Sequence, residues 1–339
     1  MKQLTVLSVL LLAAIMCFGE KIAEFPNIYV PVQIRIDHNK LYISEKAWVY
    51  IYSLDKIKLL KKFGGEGEGP REFKRYAFLY PTTDHLVINS VGKISYFKKD
   101  GTYIKEVRAK GEVANFAPVG KYFVARGFRV ARHKKDGINY KTINLYDSNL
   151  TKLREIFKHE LDWQQGKGTK LFHLTFSYQT HEDRIYIAGG KDFAVDVFNT
   201  DGKHLFTISQ EYKRVKFTED HKKQILDYFK RTRPDNYLYW EKHSIFPDYF
   251  PAISRIYLRD HLLYIMTHRI RDNRYEFLIF DLEGKFLEKT FVPVADRRLM
   301  TPYPIEIHQK KLYQLLDNHE TEKIELHCHT IGPSTKEKQ

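Results

Sequence analysis

A short aliphatic and aromatic run of one kind returns six times along the chain: Leu41-Tyr42-Ile43, Leu86-Val87-Ile88, Tyr122-Phe123-Val124, Ile185-Tyr186-Ile187, Leu263-Tyr264-Ile265 and Leu312-Tyr313-Gln314. Five of the six are followed by a second run that ends in a turn signal. These are Tyr50-Ile51-Tyr52 before Asp55, Tyr96-Phe97 before Asp100-Gly101, Leu145-Tyr146 before Asp147, Val197-Phe198 before Asp201-Gly202, and Ile279-Phe280 before Glu283-Gly284. Asp-Gly and its relatives supply the positive φ that a tight hairpin needs. The anchors at 55, 100, 147 and 201 lie roughly 45 to 55 residues apart, the length of a four-stranded unit repeated about an axis. The first series reads as inner strands. Units at 30–73, 74–115, 116–160, 170–210, 250–291 and 303–330 predict an all-β, six-bladed β-propeller.

The ends of the chain fit a closed ring. The last unit lacks a fourth strand, because after Leu312–Leu316 and a turn near Asp317-Asn318 only Ile324–His329 remains before a polar tail at 332–339. At the other end Ile28-Tyr29-Val30 precedes the strand-like Val32–Ile36 and is one strand too many for the first unit. It is expected to complete the last blade, removing the edges that invite aggregation. Residues 1–19 read as a signal peptide: Lys2 gives a positive start, Leu4–Met16 a short apolar core, and Cys17-Phe18-Gly19 a small-residue cleavage site. The core is too short to span a bilayer, and no later stretch approaches membrane length. Export to the periplasm or the exterior is expected, with a single domain over 20–331. Lipid anchoring through Cys17 is the lesser alternative, since Met16 is bulky where such a site takes a small residue.

One segment breaks the pattern, between the fourth and fifth units at about 211–250. Thr218 reads as a helix cap, Glu219 and Asp220 lie in the first turn, and Ile225, Leu226 and Phe229 fall at helical spacing before Pro234. The aromatic, proline-bearing stretch 236–251 follows and reads as a cap on the propeller.

The segment GGEGEGPREF at 64–73 resembles the G-x-G-x-G-P-x-E-F signature of bacterial secreted six-bladed β-propellers, a group related to NHL-repeat and TolB-like propellers. The match covers Gly65, Gly67, Gly69, Pro70, Glu72 and Phe73. The repeat number, the leader and the insertion before Phe246–Pro251 are similar as well. The resemblance implies the fold and says little about activity, since propellers host unrelated functions. Read from its residues alone, the loop is a blade connector in which three glycines allow a tight path and Phe73 plugs the gap between blades. Without a following Lys-Ser or Lys-Thr and a helix, it is neither a Walker loop nor a Rossmann turn.

Net charge is +14 for the whole chain. Basicity ordinarily points to nucleic acid, but an exported chain meets little of it, so an anionic glycan, a peptide or an envelope protein is the expected partner. Loops between second and third strands share one face with the connections between blades. That face collects Arg126, Arg129, Arg132, Lys134 and Lys135, then His268, Arg269, Arg271 and Arg274, with Arg71, Lys74 and Arg75 from the glycine loop. Guanidinium groups suit carboxylates or phosphates, and Tyr237, Tyr239 and Trp240 offer either a sugar-stacking surface or a hydrophobic cap. The candidate ligand residues are therefore Arg129, Arg132, Arg269, Arg271, Arg274, Tyr237, Tyr239 and Trp240.

Chemistry is less well marked. His327-Cys328-His329 invites a metal, but on a strand only the two histidines share a face, and His173, His181, His268 and His308 would have to supply the rest. Glu66, Glu68 and Glu72 cluster in the glycine loop while Asp192, Asp196, Asp260 and Asp272 are scattered, which fixes no glycosidase pair. There is no Gly-x-Ser-x-Gly elbow and no zincin helix. The expectation is a binding or scaffolding module with no cofactor and no assigned catalytic residue. The alternative is a metal-dependent lyase or hydrolase at the mouth of the channel. With Cys328 the only cysteine beyond the leader, no intrachain disulfide forms.

Overall fold

The computed structural model describes residues 19–110, 115–129, 139–161, 168–171, 176–298 and 301–332 of the chain. Six four-stranded antiparallel sheets follow one another along the sequence. Blade 1 comprises Pro31–Asp37, Lys40–Glu45, Trp48–Ser53 and Leu59–Gly64, counted outward from the axis. Blades 2 to 5 repeat the plan from Phe78–Pro81, Ala117–Val119, Phe176–His181 and Arg255–Arg259 at the axis to Tyr103–Arg108, Lys152–Leu161, His204–Ser209 and Phe286–Pro293 at the rim. The chain is a six-bladed β-propeller.

Blade 6 takes Ile305–His308, Lys311–Asn318 and Lys323–Thr330 from the C-terminal end and its outer strand, Glu20–Phe25, from the N-terminal end. The ring closes as expected, but with different residues. Ile28-Tyr29-Val30 is not a strand: Ile28 is a fully buried anchor while the N–H groups of Tyr29 and Val30 both donate to the Glu45 carboxylate, at 2.6 and 2.8 Å. A carboxylate that takes two neighbouring N–H groups turns the chain from the rim of one blade to the axis of the next.

The six repeated runs are second strands, one step out from the axis, and this corrects their reading as inner strands. A second strand has a blade on each face, so both side-chain sets are buried and alternation disappears. Leu41 and Ile43 pack toward blade 6 while Tyr42 packs toward blade 2, each with no exposure. Repeated around the ring, this produces six apolar clusters, one in each gap between neighbouring blades. Turns after the third strands behave as the Asp-Gly signal predicts. Gly101, Gly202 and Gly284 have φ of 77°, 80° and 89°, and a Cβ on Gly284 would stand 2.9 Å from Ile208 of the preceding blade.

The glycine loop is a connector closed upon itself. The N–H of Phe73 donates to the Gly65 carbonyl at 2.8 Å, and the Glu72 carboxylate accepts from the N–H of Gly69 at 2.9 Å. A Cβ on Gly67 would lie 2.0 Å from that carboxylate. Phe73 is fully buried between blades 1 and 2.

Candidate functional site

The turns between second and third strands and the connections between blades lie together on one face, and the longest connection, 210–254, builds a wall there. Its helix α1 spans Glu219–Thr232, capped as the sequence predicts. The Thr218 hydroxyl accepts from the N–H of His221, and the His221 ring accepts in return from the N–H of Thr218 at 3.0 Å. A short helix α2, Tyr237–His243, folds back so that Trp240 stacks on Phe229 with ring centroids 5.0 Å apart. With Phe217, Ile225 and Phe250 these side chains form a small core of their own. Beneath it Phe250 stacks on His268 of blade 5 at 4.5 Å. Burial, reinforced by Arg255 and His221, pushes His268 down to about 4, so it is neutral near pH 7.

Where this wall meets blades 3 and 4 it leaves a cleft of about 560 Å³, within the range of small-ligand sites. Strand Ser244–Ile245 pairs in parallel with Thr169–Lys170 to form one side, and the N–H of Ala252 donates to the Lys191 carbonyl at 3.1 Å to fix the other. Lys170, Lys191 and Arg214 bring positive charge to the lining, Asp192 and Asp248 bring acceptors, and Phe246 and Tyr249 bring ring faces. Arg214 lies over the Tyr249 ring, 5.2 Å from its centroid.

The residues singled out in the sequence are distributed differently. Arg269 donates to the buried Glu276 carboxylate at 3.0 Å and to the Lys213 carbonyl at 3.0 Å, tying the insertion to blade 5. Arg271 lies over Phe291, and Arg274 is its cross-strand neighbour at the same hairpin end. Arg129 covers the Tyr140 ring on blade 3, with Glu155 at 3.7 Å. Arg132 lies outside the described residues. Tyr237 and Trp240 belong to the insertion's own core, and Tyr239 stacks on His243. None of the described ones lines the cleft. Its lining comes from five separate segments, at 159, 170–171, 190–192, 214 and 245–251, and of these only the run Phe246–Pro251 carries a sequence signal.

The histidines take structural places. His329 accepts from the N–H of Gly19 at 2.9 Å, and the ring of His327 reaches the Gly19 carbonyl at 3.1 Å and Glu325 at 2.8 Å. His181 meets His261 edge to face on the opposite side of the ring, and His308 ends the inner strand of blade 6. His173 lies outside the described residues. Among the described residues no three His, Cys, Asp or Glu side chains gather as a ligand set.

No family model matches the chain, and no curated protein does. Solved structures of similar architecture include BamB from Moraxella catarrhalis, at 12% identity over 86% of this chain and 70% of that one, with a TM-score of 0.34. The Pan2 WD40 domain of Neurospora crassa aligns at 7% identity over 88% of each chain, with a TM-score of 0.43. The Cps50 (Swd1) β-propeller domain of Myceliophteria thermophila aligns at 11% identity over 91% of this chain and 98% of that one, with a TM-score of 0.40. The likeness at these identities is one of fold alone, and the six sheets establish the propeller by themselves.

Proposed function

We propose that the protein is an exported, non-catalytic binding module of the bacterial secreted six-bladed type, and that it takes a segment of an acidic glycan into the cleft beside the insertion. The observation that supports this most is the mixed lining of the cleft. Phe246 and Tyr249 offer ring faces, Lys170, Lys191 and Arg214 offer donors for carboxylate or sulfate, and Asp192 and Asp248 offer acceptors for hydroxyl groups. A purely anionic ligand needs no acceptors, and a purely apolar one needs no charges. A sugar chain with acidic substituents uses all three. The leader-like residues 1–19 support export, and the loop at 64–73 supports the group assignment. Among the described residues no helix is long and apolar enough to cross a membrane.

Calorimetric titration of the purified chain with an acidic oligosaccharide and its neutral counterpart tests the reading. Binding should favour the acidic form, weaken with salt, and fall about tenfold or more in a Lys191→Ala/Arg214→Ala variant. Equal binding of the neutral counterpart, or full affinity in the double variant, would overturn it. Release of unsaturated or shortened sugar in the same cell would favour the lyase or hydrolase reading.

A further inference from the structure

The axis of the ring carries a cluster that no motif announces. Arg35 comes from the inner strand of blade 1, Tyr80 from blade 2, Tyr257 and Arg259 from blade 5, and Glu306 from blade 6. The side chain of Glu306 is only 2% exposed and receives both guanidinium groups. Nη1 of Arg35 donates to it at 2.9 Å and Nη2 of Arg259 at 3.0 Å, with a second, shorter contact from Nε of Arg259. Two cations thus share this one carboxylate, and within the trio one positive charge is left over, with Asp260 at the adjoining turn acting on Arg259. The remaining nitrogen of Arg259 donates to the Leu258 carbonyl, so each nitrogen of that guanidinium has an acceptor. Arg35 is not. Its Nη1 also donates to the Ile34 carbonyl, while Nε and Nη2 have no acceptor among the described residues.

That unused edge is a pair of parallel N–H donors, the fork that matches an oxyanion. Tyr80 and Tyr257 lie within electrostatic reach of Arg35, and neither hydroxyl has a hydrogen-bond partner among the described residues. Burial pushes both phenols up, so they remain protonated donors at neutral pH. Solvent enters the axis, since the Arg35 and Arg259 side chains keep 18% and 25% of their surface open. An excess cation among desolvated groups is costly unless it is paired.

We propose that the central channel is a second anion site, in which the free edge of Arg35 holds one small oxyanion, a carboxylate or a phosphate, with Tyr80 and Tyr257 donating to it. The site stands apart from the cleft and does not depend on the glycan reading. Thermal melting of the full chain at constant ionic strength, with inorganic phosphate, acetate or chloride, tests it. Phosphate or acetate should raise the melting temperature saturably by a few degrees while chloride does not. Arg35→Met leaves a neutral Arg259–Glu306 pair, so this variant should lose the response and melt no lower than wild type in anion-free buffer. Tyr80→Phe should fold normally and bind several-fold more weakly. The Lys191→Ala/Arg214→Ala variant should respond like wild type. An equal rise with chloride, no saturable rise, or a full response in Arg35→Met or Tyr80→Phe would overturn the site. So would a marked loss of stability in anion-free Arg35→Met.

Discussion

One tyrosine position shows how closely the blades depend on one another. Tyr42, Tyr186 and Tyr264 occupy the same place on the second strands of blades 1, 4 and 5, each fully buried. The hydroxyl of Tyr42 donates to the Lys99 carbonyl at 3.1 Å and that of Tyr186 to the Leu282 carbonyl at 3.2 Å, in both cases at the outer turn of the following blade. Tyr264 faces blade 6, whose third and fourth strands come from opposite ends of the chain and share no turn, and its buried hydroxyl has no partner among the described residues. Replacement by phenylalanine should therefore cost about 1 kcal/mol at Tyr42 or Tyr186 and nothing at Tyr264, where a gain is expected instead. Urea denaturation of the three variants decides the matter, and an equal loss at Tyr264 would contradict the pattern. Gly19 carries a second prediction. A Cβ there would lie 2.4 Å from the Cys328 carbonyl, and the residue is gripped by His327 and His329. On the proposed export, N-terminal sequencing of the mature chain should find Gly19 retained, with cleavage before it; a mature chain starting at Glu20 would show that the grip is dispensable. The His-Cys-His triplet drew attention as a metal motif because alternation reveals which side chains share a face and not what they face.

At the scale of elements, legibility followed burial. The second strands announced themselves because blades on both faces demand apolar residues at every position, as in Leu263-Tyr264-Ile265. Inner strands border the channel and carry Arg35, Tyr80, Tyr257 and Glu306, so their pattern is broken, and of those four strands only that of blade 1 reads as strand-like, at Val32–Ile36. Helix α1 was legible from Thr218 and the spacing of Ile225 and Phe229, while α2 was hidden because its seven residues hold no buried side chain. The docking of this insertion on blade 5 depends on His268 remaining neutral. Its pKa in the fold is depressed to about 4, so above pH 6.5 it is neutral both folded and unfolded and opposes nothing. As the pH falls from about 6.5 toward 4 the unfolded chain takes up a proton that the folded one refuses, and stability declines across that window. Between pH 7 and 5 the loss from this group should be about 2 kcal/mol. His268→Phe keeps a ring on Phe250 and removes the proton, so its stability should fall less over the same interval. Denaturant melts of both proteins at the two pH values measure the difference, and parallel declines would remove His268 from the account.

For the molecule as a whole, the turn periodicity fixed the number of blades, but which residues shut the ring was hidden. Ile28-Tyr29-Val30 is more apolar than Glu20–Phe25, yet Pro26 and the demands of the Glu45 carboxylate make it a corner, and the more polar hexapeptide is the strand. An outer strand needs burial on its inward side only. Phe25 supplies it, 2% exposed and 5.0 Å from Tyr52 between ring centroids, while Glu24 is drawn down to about 2 by Lys323 and Lys21 on the surface. Each gap between neighbouring blades is crossed by a chain connection, so the ring is shut inside blade 6, where this strand meets Lys323–Thr330 across 304 residues of sequence, as in the contact of Lys21 with Glu325. Closure must therefore come late in folding, when loop entropy has been met by the other blades. Phe25→Ala should cost about 3 to 5 kcal/mol, as for other buried aromatic residues. Removal of residues through Phe25 should do more than subtract those contacts, because it uncovers the whole edge of Lys323–Thr330 as a template for pairing with another chain. Gel filtration and calorimetry of the shortened protein should then show concentration-dependent association and a broadened, early transition. A monomer that melts cooperatively near the temperature of the full chain would mean that blade 6 stands on three strands and that the ring needs no closing strand.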